Sequence, residues 1–496
     1  MSDDHKSLNQ IIDFRKEKLT KLRDAGIEPY PQKYEPTHFS ADILGDFENL
    51  DKTDVNIAGR IMSIRKMGKA SFFHMQDLKG KIQIFIRRDD VGEDNYAHFK
   101  LLDMGDFVGV KGYVFKTKMG ETSIHASKLT ILCKSIRPLP VVKEKEGDIF
   151  DAYADKEQRY RNRHLDLIVN PDVKGTFIKR ANIIKGLRSH LDNMGFLEVE
   201  TPVLQPLYGG ANARPFTTHH NALDQQLYLR IADELYLKRL IIGGIDRVYE
   251  IAKDFRNEGM DRNHNPEFTM LEFYWAYADF EDNMNLVEDM IRSVATNVEA
   301  LQLKWGDMDI DLSKLFERRP ILGLIKEATG EDLTEASVDK MKKVCKAHHI
   351  DVEANANYGQ MLDGLMSKLV EPKLIQPTFI TDYPKAISPL AKKHRNGNPH
   401  LVERFELFIG GAEFANAFTE LNDPIDQRER FESQARLAED GDDEAHPVDE
   451  SFLQAMECGM PPTAGVGIGV DRLVMLLTEN INIKDVILFP AMRTEE

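Results

Sequence analysis

Between Phe255 and Tyr274 the chain places an arginine, four acids, a histidine and aromatics within 20 residues. The run reads Phe255-Arg256-Asn257-Glu258-Gly259, then His264-Asn265-Pro266-Glu267-Phe268, then Glu272-Phe273-Tyr274. YEIAKD before it is strand-like, and Gly259 and Pro266 interrupt it, so two strands around an exposed loop are expected. Such a hairpin sets Arg256 and Glu258 on one side and His264 near its tip. A planar, two-pronged guanidinium in that setting suits the alignment of anions. Further along, Glu406 and Glu413 flank Gly410-Gly411 in RFELFIGGAEF. A glycine pair can fold two strands together and bring both acids, which are hard oxygen donors, to one site. In AFTELND strand alternation puts Asn416, Phe418 and Glu420 on one face. A G-x-G-x-G run at residues 465 to 469, weak evidence alone, precedes Arg472.

These residues need a scaffold, and the chain is long enough for more than one domain, with 496 residues suggesting two to four. Residues 7 to 26 read as a helix with one buried stripe, through Leu8, Ile11, Ile12, Leu19 and Leu22. Residues 31 to 53 read as a connecting loop. From Val55 to Cys133 five short runs rich in Val, Ile, Phe and Thr alternate with turn signals, and NYAHFKLLDM between the third and fourth is helix-like. Five strands with a helix in that gap is the layout of an OB-fold barrel, whose strand face binds single-stranded nucleic acid. The prolines and charges of Arg137 to Gly147 mark a boundary. The expected division is therefore 1–53 helix and connector, 54–147 barrel, and 148–496 a larger α+β domain. The last has no βαβ rhythm, which favours an antiparallel sheet flanked by helices, with a helical insertion at about 315–375.

Composition narrows the classes. Hydrophobic content of 42% with 30% charged residues fits a soluble globular protein. The polar, acidic N-terminus lacks an apolar core, so no secretory signal is expected, and no long apolar run suggests a membrane span or membrane partner. Cys133, Cys345 and Cys458 form no C-x-x-C pair, which argues against a zinc-thiolate site and fits the cytoplasm. His219-His220 and His348-His349 read as surface or packing residues. A net charge of −17 opposes phosphate binding, so any nucleic-acid surface must be local. Basic residues do cluster before residue 120, while acid dominates Glu439 to Glu450.

FRNEG…HNPEFTMLEFY resembles motif 2 of the class II aminoacyl-tRNA synthetases. GMPPTAGVGIGVDRLVMLL, residues 459 to 477, resembles motif 3. IIKGLRSHLDNMGFLEVETPVL, residues 183 to 204, resembles motif 1, a long helix running into a strand that ends at Pro202. With the barrel, the ordered motifs resemble subclass IIb, which contains the lysyl, aspartyl and asparaginyl enzymes, over nearly the whole chain. The resemblance implies an ATP-dependent activation of an amino acid, in which a carboxylate attacks the α-phosphate and charge neutralisation is the main demand. It implies that Arg256 bridges the α-phosphate and that carboxylate. Arg472 would lie over the adenine near the γ-phosphate, with Phe268 on the other adenine face. Glu258 would accept from the adenine amino group, and His264 and Asn265 would stand near the β- and γ-phosphates. Glu406 and Glu413 match the acids that hold Mg2+. Motif 1 implies a homodimer.

Within the subclass the lysine-specific members match best. A lysine pocket must cover four methylenes and neutralise an ammonium, which an aromatic beside a carboxylate does. Glu420 matches the ammonium-binding acid, helped by Tyr274. Glu234 and Glu272 match the other pocket acids, Glu234 toward the α-amino group, and Gly210 touches the substrate through its backbone. An aspartyl enzyme would need a cation there, whereas the strand with Asn416, Phe418 and Glu420 offers acid. On the barrel, Phe72, Gln83 and Phe85 match readers of the central anticodon uridine, with Arg65 contacting phosphate or base. The implied partners are tRNA(Lys), ATP and L-lysine. Two departures stand out: Asn263 replaces a frequent arginine, with Arg262 one residue earlier, and Ala412 replaces a basic or polar residue. The alternatives are an aspartyl- or asparaginyl-tRNA synthetase, a ligase that transfers lysine to a protein, and a non-catalytic single-strand binder. The barrel speaks against the protein ligase, and Arg256 with Arg472 against the binder.

Overall fold

The computed structural model describes residues 7–494 apart from 141–142, 146–147, 151–152, 212, 353–355 and 440–447. The heart of the expected acidic stretch 439–450 thus lies outside the described residues. Two compact units are present, Met1–Ala154 and Asp155–Glu496.

In the first unit, helix α1 (Leu8–Asp24) starts at a capping box in which Ser7 and Gln10 satisfy each other's backbone N–H groups. The connector is not wholly loop: α2 (Ser40–Gly45) and α3 (Phe47–Leu50) form within it. Ser40 bonds the Asp77 carboxylate through its N–H at 2.5 Å and its hydroxyl at 2.7 Å, and Ile43 is buried in the barrel core. Five strands close the barrel: β1 (Asp54–Met67), β2 (Ala70–Gln76), β3 (Lys81–Arg87), β4 (Phe107–Lys116) and β5 (Thr122–Cys133), in the order β1-β2-β3-β5-β4. Between β3 and β4 lie α4 (Arg88–Val91) and α5 (Glu93–Lys100), and Tyr96 and Phe99 of α5 plug the interior. Strand alternation sends Phe73, Met75, Ile82, Ile84 and Ile86 inward. Phe72, Gln83 and Phe85 therefore point outward and are half-buried, and Arg65 is exposed.

In the second unit one eight-stranded sheet carries the architecture. Its members in chain order are β6 (Leu197–Glu198), β7 (Arg247–Phe255), β8 (Glu267–Ala276), β9 (Glu317–Pro320), β10 (Thr378–Thr381), β11 (Arg404–Ile409), β12 (Ala412–Thr419) and β13 (Thr463–Gly469). They lie in the order β9-β10-β11-β12-β13-β8-β7-β6. The central pairings are antiparallel, but the outermost pairs β9/β10 and β6/β7 are parallel, so the sheet is mixed. The motif 1 helix, α6 (Pro171–Asn193), starts with proline, which needs no N–H partner there. Its strand is shorter than expected, since only Leu197 and Glu198 pair with β7. α6 packs on one sheet face with α8 (Phe280–Asn297), the helix capped by Asp279. The insertion opens with strand β9 and then becomes helical through Ile321–Thr329, Val338–Ala347 and Tyr358–Leu365, whose apolar faces form their own core.

β11 and β12 are joined by Gly410 and Gly411 at φ 58° and 77°, the positive values that a two-residue hairpin turn of the I′ type requires. A Cβ on Gly410 would stand 2.7 Å from the Trp305 ring. Left-handed strain and overpacking add here, so Gly410→Ala should cost roughly 2–4 kcal/mol, read by urea unfolding. An unchanged midpoint would show that the turn does not hold this hairpin.

Candidate active site

The cleft lies on the sheet face opposite α6 and α8. Along β8, β12 and β13 alternate side chains (Leu271, Phe273, Ala415, Ala417, Val466, Ile468) enter the helical core. The intervening positions face the cleft and meet across strands: Tyr274 pairs with Gly465 and Gly465 with Phe418, while Glu272 pairs with Gly467 and Gly467 with Asn416. The G-x-G-x-G run therefore lays bare backbone between two rows of functional side chains. A Cβ on Gly465 would overlap the Tyr274 ring and Glu420 Oε1. The resulting cavity is about 460 Å³. It brings together Gly210, Glu234, Arg256, Glu258, His264, Asn265, Phe268, Glu272, Tyr274, Glu406, Glu413, Asn416, Phe418, Glu420 and Arg472. Asn263 lines it too, whereas the exposed Arg262 does not.

One half is cationic. Arg256 leaves the end of β7, its N–H donating to the Pro266 carbonyl at 2.9 Å and its guanidinium 5.1 Å from the Phe268 ring centroid. Its Nε is buried without a hydrogen-bond partner. Arg472, on α-helix Val470–Leu477 after β13, donates to the Glu413 carbonyl. His264 is exposed and pairs with Asp261 at 2.9 Å. Asn265 is buried, donating to the Glu267 carbonyl at 2.5 Å and accepting from the Ala491 N–H at 3.2 Å. Counting back by twos from Asn416 would put Glu413 on the core face. A bulge corrects this: Leu407 pairs with Ala415 but Phe408 with Glu413, so the extra residue returns Glu413 to the side of Glu406. Both Glu406 oxygens are engaged, Oε1 by Arg404 at 2.6 Å and Oε2 by the Tyr383 hydroxyl at 2.7 Å. Burial, then the Glu406 charge, pushes Glu413 up to about 7. Two carboxyl groups on one face, one of them short of positive charge, form a donor set that fits a hard divalent cation.

The other half is acidic and almost sealed. Glu234 starts helix α7 (Glu234–Ile242), and Glu272, Glu234 and Glu420 are 6%, 5% and 1% exposed. Lys238, one turn along α7, is fully buried, 2.5 Å from Glu234 Oε1 and ion-paired to Glu420. The acids are thus not the unrelieved negative wall that the sequence suggested. Tyr274 donates to Glu272 at 3.2 Å instead of reaching Glu420. Burial, followed by the charges of Asp254 and Glu234, pushes Glu272 up to about 8. Behind it Asp233, Asp254 and Glu272 hold carboxylate oxygens within 4.8 Å of one another. Arg230 ties this group down, 3.0 Å from Asp233 and 2.7 Å from Glu250.

Sequence reasoning missed Lys238, Arg404, Asp233, Asp254 and Arg230. Two carried a local signal: Lys238 follows Glu234 at i+4 on a helix, and Arg404 precedes Glu406 by two on a strand, which sets each pair on one face. In the barrel unit, Phe72 and Phe85 stack at 4.9 Å between centroids, next to Gln83, which donates to Glu121 at 2.7 Å. His125 packs edge-on against Phe85 at 4.9 Å, bonded to Asp90 at 2.6 Å and Tyr113 at 2.7 Å. Outward aromatics and amides of this kind make a face on which unpaired bases stack.

Residues 155–493 match the family of class II tRNA synthetases (D, K and N), and residues 55–132 match the OB-fold nucleic acid binding domain. A lysine–tRNA ligase of Porphyromonas gingivalis W83 is 52% identical over 493 residues, covering 97% of this chain and 85% of that protein. The lysine–tRNA ligase of Carboxydothermus hydrogenoformans is 52% identical, covering 99% of this chain and all of its own length. That of Bacillus subtilis is 50% identical, with 99% and 98% covered.

The raised acids give stability a definite pH slope. Glu272 (about 8) and Glu413 (about 7) sit above the 4.5 of an ordinary glutamate, so between those values the folded state holds more protons than the unfolded one. The stability they contribute is fully present below pH 4.5 and is lost as pH rises toward 8. The melting temperature of the ligand-free protein should fall from about pH 5.5 to about pH 8.5, and Glu272→Gln should flatten the upper part of that fall. A wild-type curve that is level across the window would contradict this electrostatic account.

Proposed function

The chain belongs to the class II tRNA synthetases of the aspartate, lysine and asparagine group, and from that premise we propose that it joins lysine to tRNA(Lys) with ATP. The observation that carries this reading is the cleft itself: the Arg256 guanidinium with an unpartnered Nε at one end, and buried carboxylates beside Phe418 at the other. A ligand with a terminal cation, a methylene stem and an anionic head fits that polarity.

A carboxylate oxygen of lysine attacks the α-phosphorus of ATP, the bond to the β-phosphate oxygen breaks, and pyrophosphate leaves. Arg256 neutralises both anions and holds them in line. Arg472 and Phe268 sandwich the adenine, Glu258 accepts from its amino group, and His264 and Asn265 face the outer phosphates. Glu406 and Glu413 would hold Mg2+, which when bound offsets triphosphate charge. Glu420 receives the substrate ε-ammonium and Phe418 its methylenes, while Glu234, with the backbone at Gly210, receives the α-amino group. Asn416, Glu272 and Tyr274 complete the pocket. A hydroxyl of the 3′-terminal adenosine then attacks the lysyl carbonyl carbon, and AMP leaves.

Residues 54–147 act as the anticodon-binding domain through Arg65, Phe72, Gln83 and Phe85, residues 148–496 as the catalytic domain, and 1–53 as helix and connector. A homodimer through motif 1 is supported by the exposed apolar residues Ile178, Leu197, Leu204 and Leu207 on and after α6. No helix among the described residues is long and apolar enough to cross a membrane. The cytoplasm, where tRNA is charged, is the proposed location.

ATP–pyrophosphate exchange with each amino acid in turn should proceed with lysine alone; exchange with aspartate or asparagine would overturn the reading. Arg256→Ala should lower that exchange roughly 10²–10³-fold, and near-normal exchange would displace Arg256 from its role. Phe85→Ala should leave exchange intact while weakening tRNA binding by roughly 1–3 kcal/mol, measured by filter binding. An unaltered tRNA affinity would remove the barrel face from recognition.

A further inference from the structure

Lys238 is enclosed by the protein and does not line the cleft. Its Nζ takes one oxygen from each of two acids, Oε1 of Glu234 at 2.5 Å and Oε2 of Glu420. The other oxygens remain on the cleft side. Glu234 Oε2 stands 3.8 Å from where a Gly210 Cβ would lie, and Glu420 Oε1 lies over the bare Gly465 floor with no hydrogen-bond donor. The same Nζ lies 5.6 Å from the centroid of the Phe418 ring. A lysine ammonium of the protein thus already sits among an acid pair and an aromatic ring, from behind.

We propose that Lys238 is a positioning and specificity-determining residue, a resident cation that holds Glu234 and Glu420 ionised and turned so that each presents one free oxygen to the substrate. The inference rests on the lysine reading above. Two carboxylates left together in a sealed pocket would take up a proton, and a neutral acid offers no countercharge to an incoming ammonium. Lys238 leaves the two acids a net charge of −1, and the substrate carboxylate is met by Arg256, so a side chain without an ammonium leaves the Glu420 oxygen unpartnered. A salt bridge serving only the fold would be closed on itself; here one oxygen of each carboxylate takes no part in the bridge.

The test is Lys238→Met, which keeps the length of the apolar stem and removes the ammonium. In lysine-dependent ATP–pyrophosphate exchange its KM for lysine should rise roughly 30-fold or more, the scale for stripping the partner from a buried charge pair, while KM for ATP and kcat at saturating lysine change less than about threefold. Preference for lysine over norleucine should shrink by a similar factor. In Lys238→Ala, propylammonium, the excised fragment, should restore lysine affinity beyond its competitive effect on the wild type, and propan-1-ol should not. A lysine KM within about threefold of wild type in Lys238→Met overturns the proposal, as does a uniform loss of kcat with unchanged KM. Failure of both variants to fold, read by circular dichroism, also overturns it, because Lys238 would then hold the fold instead of the pocket. Absence of lysine-dependent exchange in the wild type would instead defeat the functional reading.

Discussion

The second unit is organised around the cost of burying negative charge. Glu234, Glu272 and Glu420 are almost sealed from water, and an ion without compensation in such surroundings costs several kcal/mol. The protein meets that cost in two ways. Glu234 and Glu420 share the Lys238 ammonium, which burial alone would discharge but the two acids hold above its ordinary pKa. Glu272 has no such cation, only the Tyr274 hydroxyl, the Asp233 N–H at 3.5 Å and neighbours of its own sign, and it answers by holding its proton up to about 8. Burial pushes Glu420 well above the ordinary carboxylate range and raises Glu234 as well, and Lys238 draws both back toward the charged form, so the ligand-free pocket is short of positive charge. A cation entering it supplies what the protein withholds.

The opposite end of the cleft has the complementary deficit. Arg256 Nε is buried without an acceptor, and Arg472 donates to the backbone carbonyl of Glu413. An unpartnered donor at one end and unpartnered acceptors at the other fit a molecule whose charge changes sign along its length. The sheet makes this possible. Its alternation separates core-facing from cleft-facing residues, the bulge before Ala415 turns Glu413 to the correct side, and the three glycines of β13 let both halves approach the backbone.

Much of this was readable in the chain because the decisive residues are close in sequence and the elements have simple periods. Alternation alone places Asn416, Phe418 and Glu420 together, and Gly259 and Pro266 bound a loop whose flanking strands pair in register from Arg247–Trp275 to Phe255–Glu267. The barrel was legible for the same reason. What escaped was set by contacts between distant elements. Lys238 looks like an ordinary i+4 partner of Glu234, and nothing local says that Glu420, nearly two hundred residues away, will close over it. Asp233 and Asp254 become a cluster only when α7 packs on β7. The parallel edge strands β6 and β9 are too short to carry a pattern of their own, and the helices in the connector depend on Asp77, which belongs to the barrel.

The charge of −17 and the proposed nucleic-acid partner are reconciled by asking which cations the barrel unit spends internally. Arg15 is buried and donates to the carbonyls of Met104, Ser135 and Arg137. Lys134 is buried between Asp103 and Asp106, and Lys18 pairs with Asp103 at 2.5 Å. Lys79 holds Asp42, and Arg87 holds Asp90. The N-terminal excess of Lys and Arg is therefore partly mortar between helix α1, the connector and the barrel, so counting it overstates the field available to phosphates. The proposed recognition on this face then leans on the paired Phe72 and Phe85 rings and on Gln83, held by Glu121 and Ser123, more than on charge. Stacking and base-edge contacts need no counterion release, so a face built on them tolerates an acidic protein.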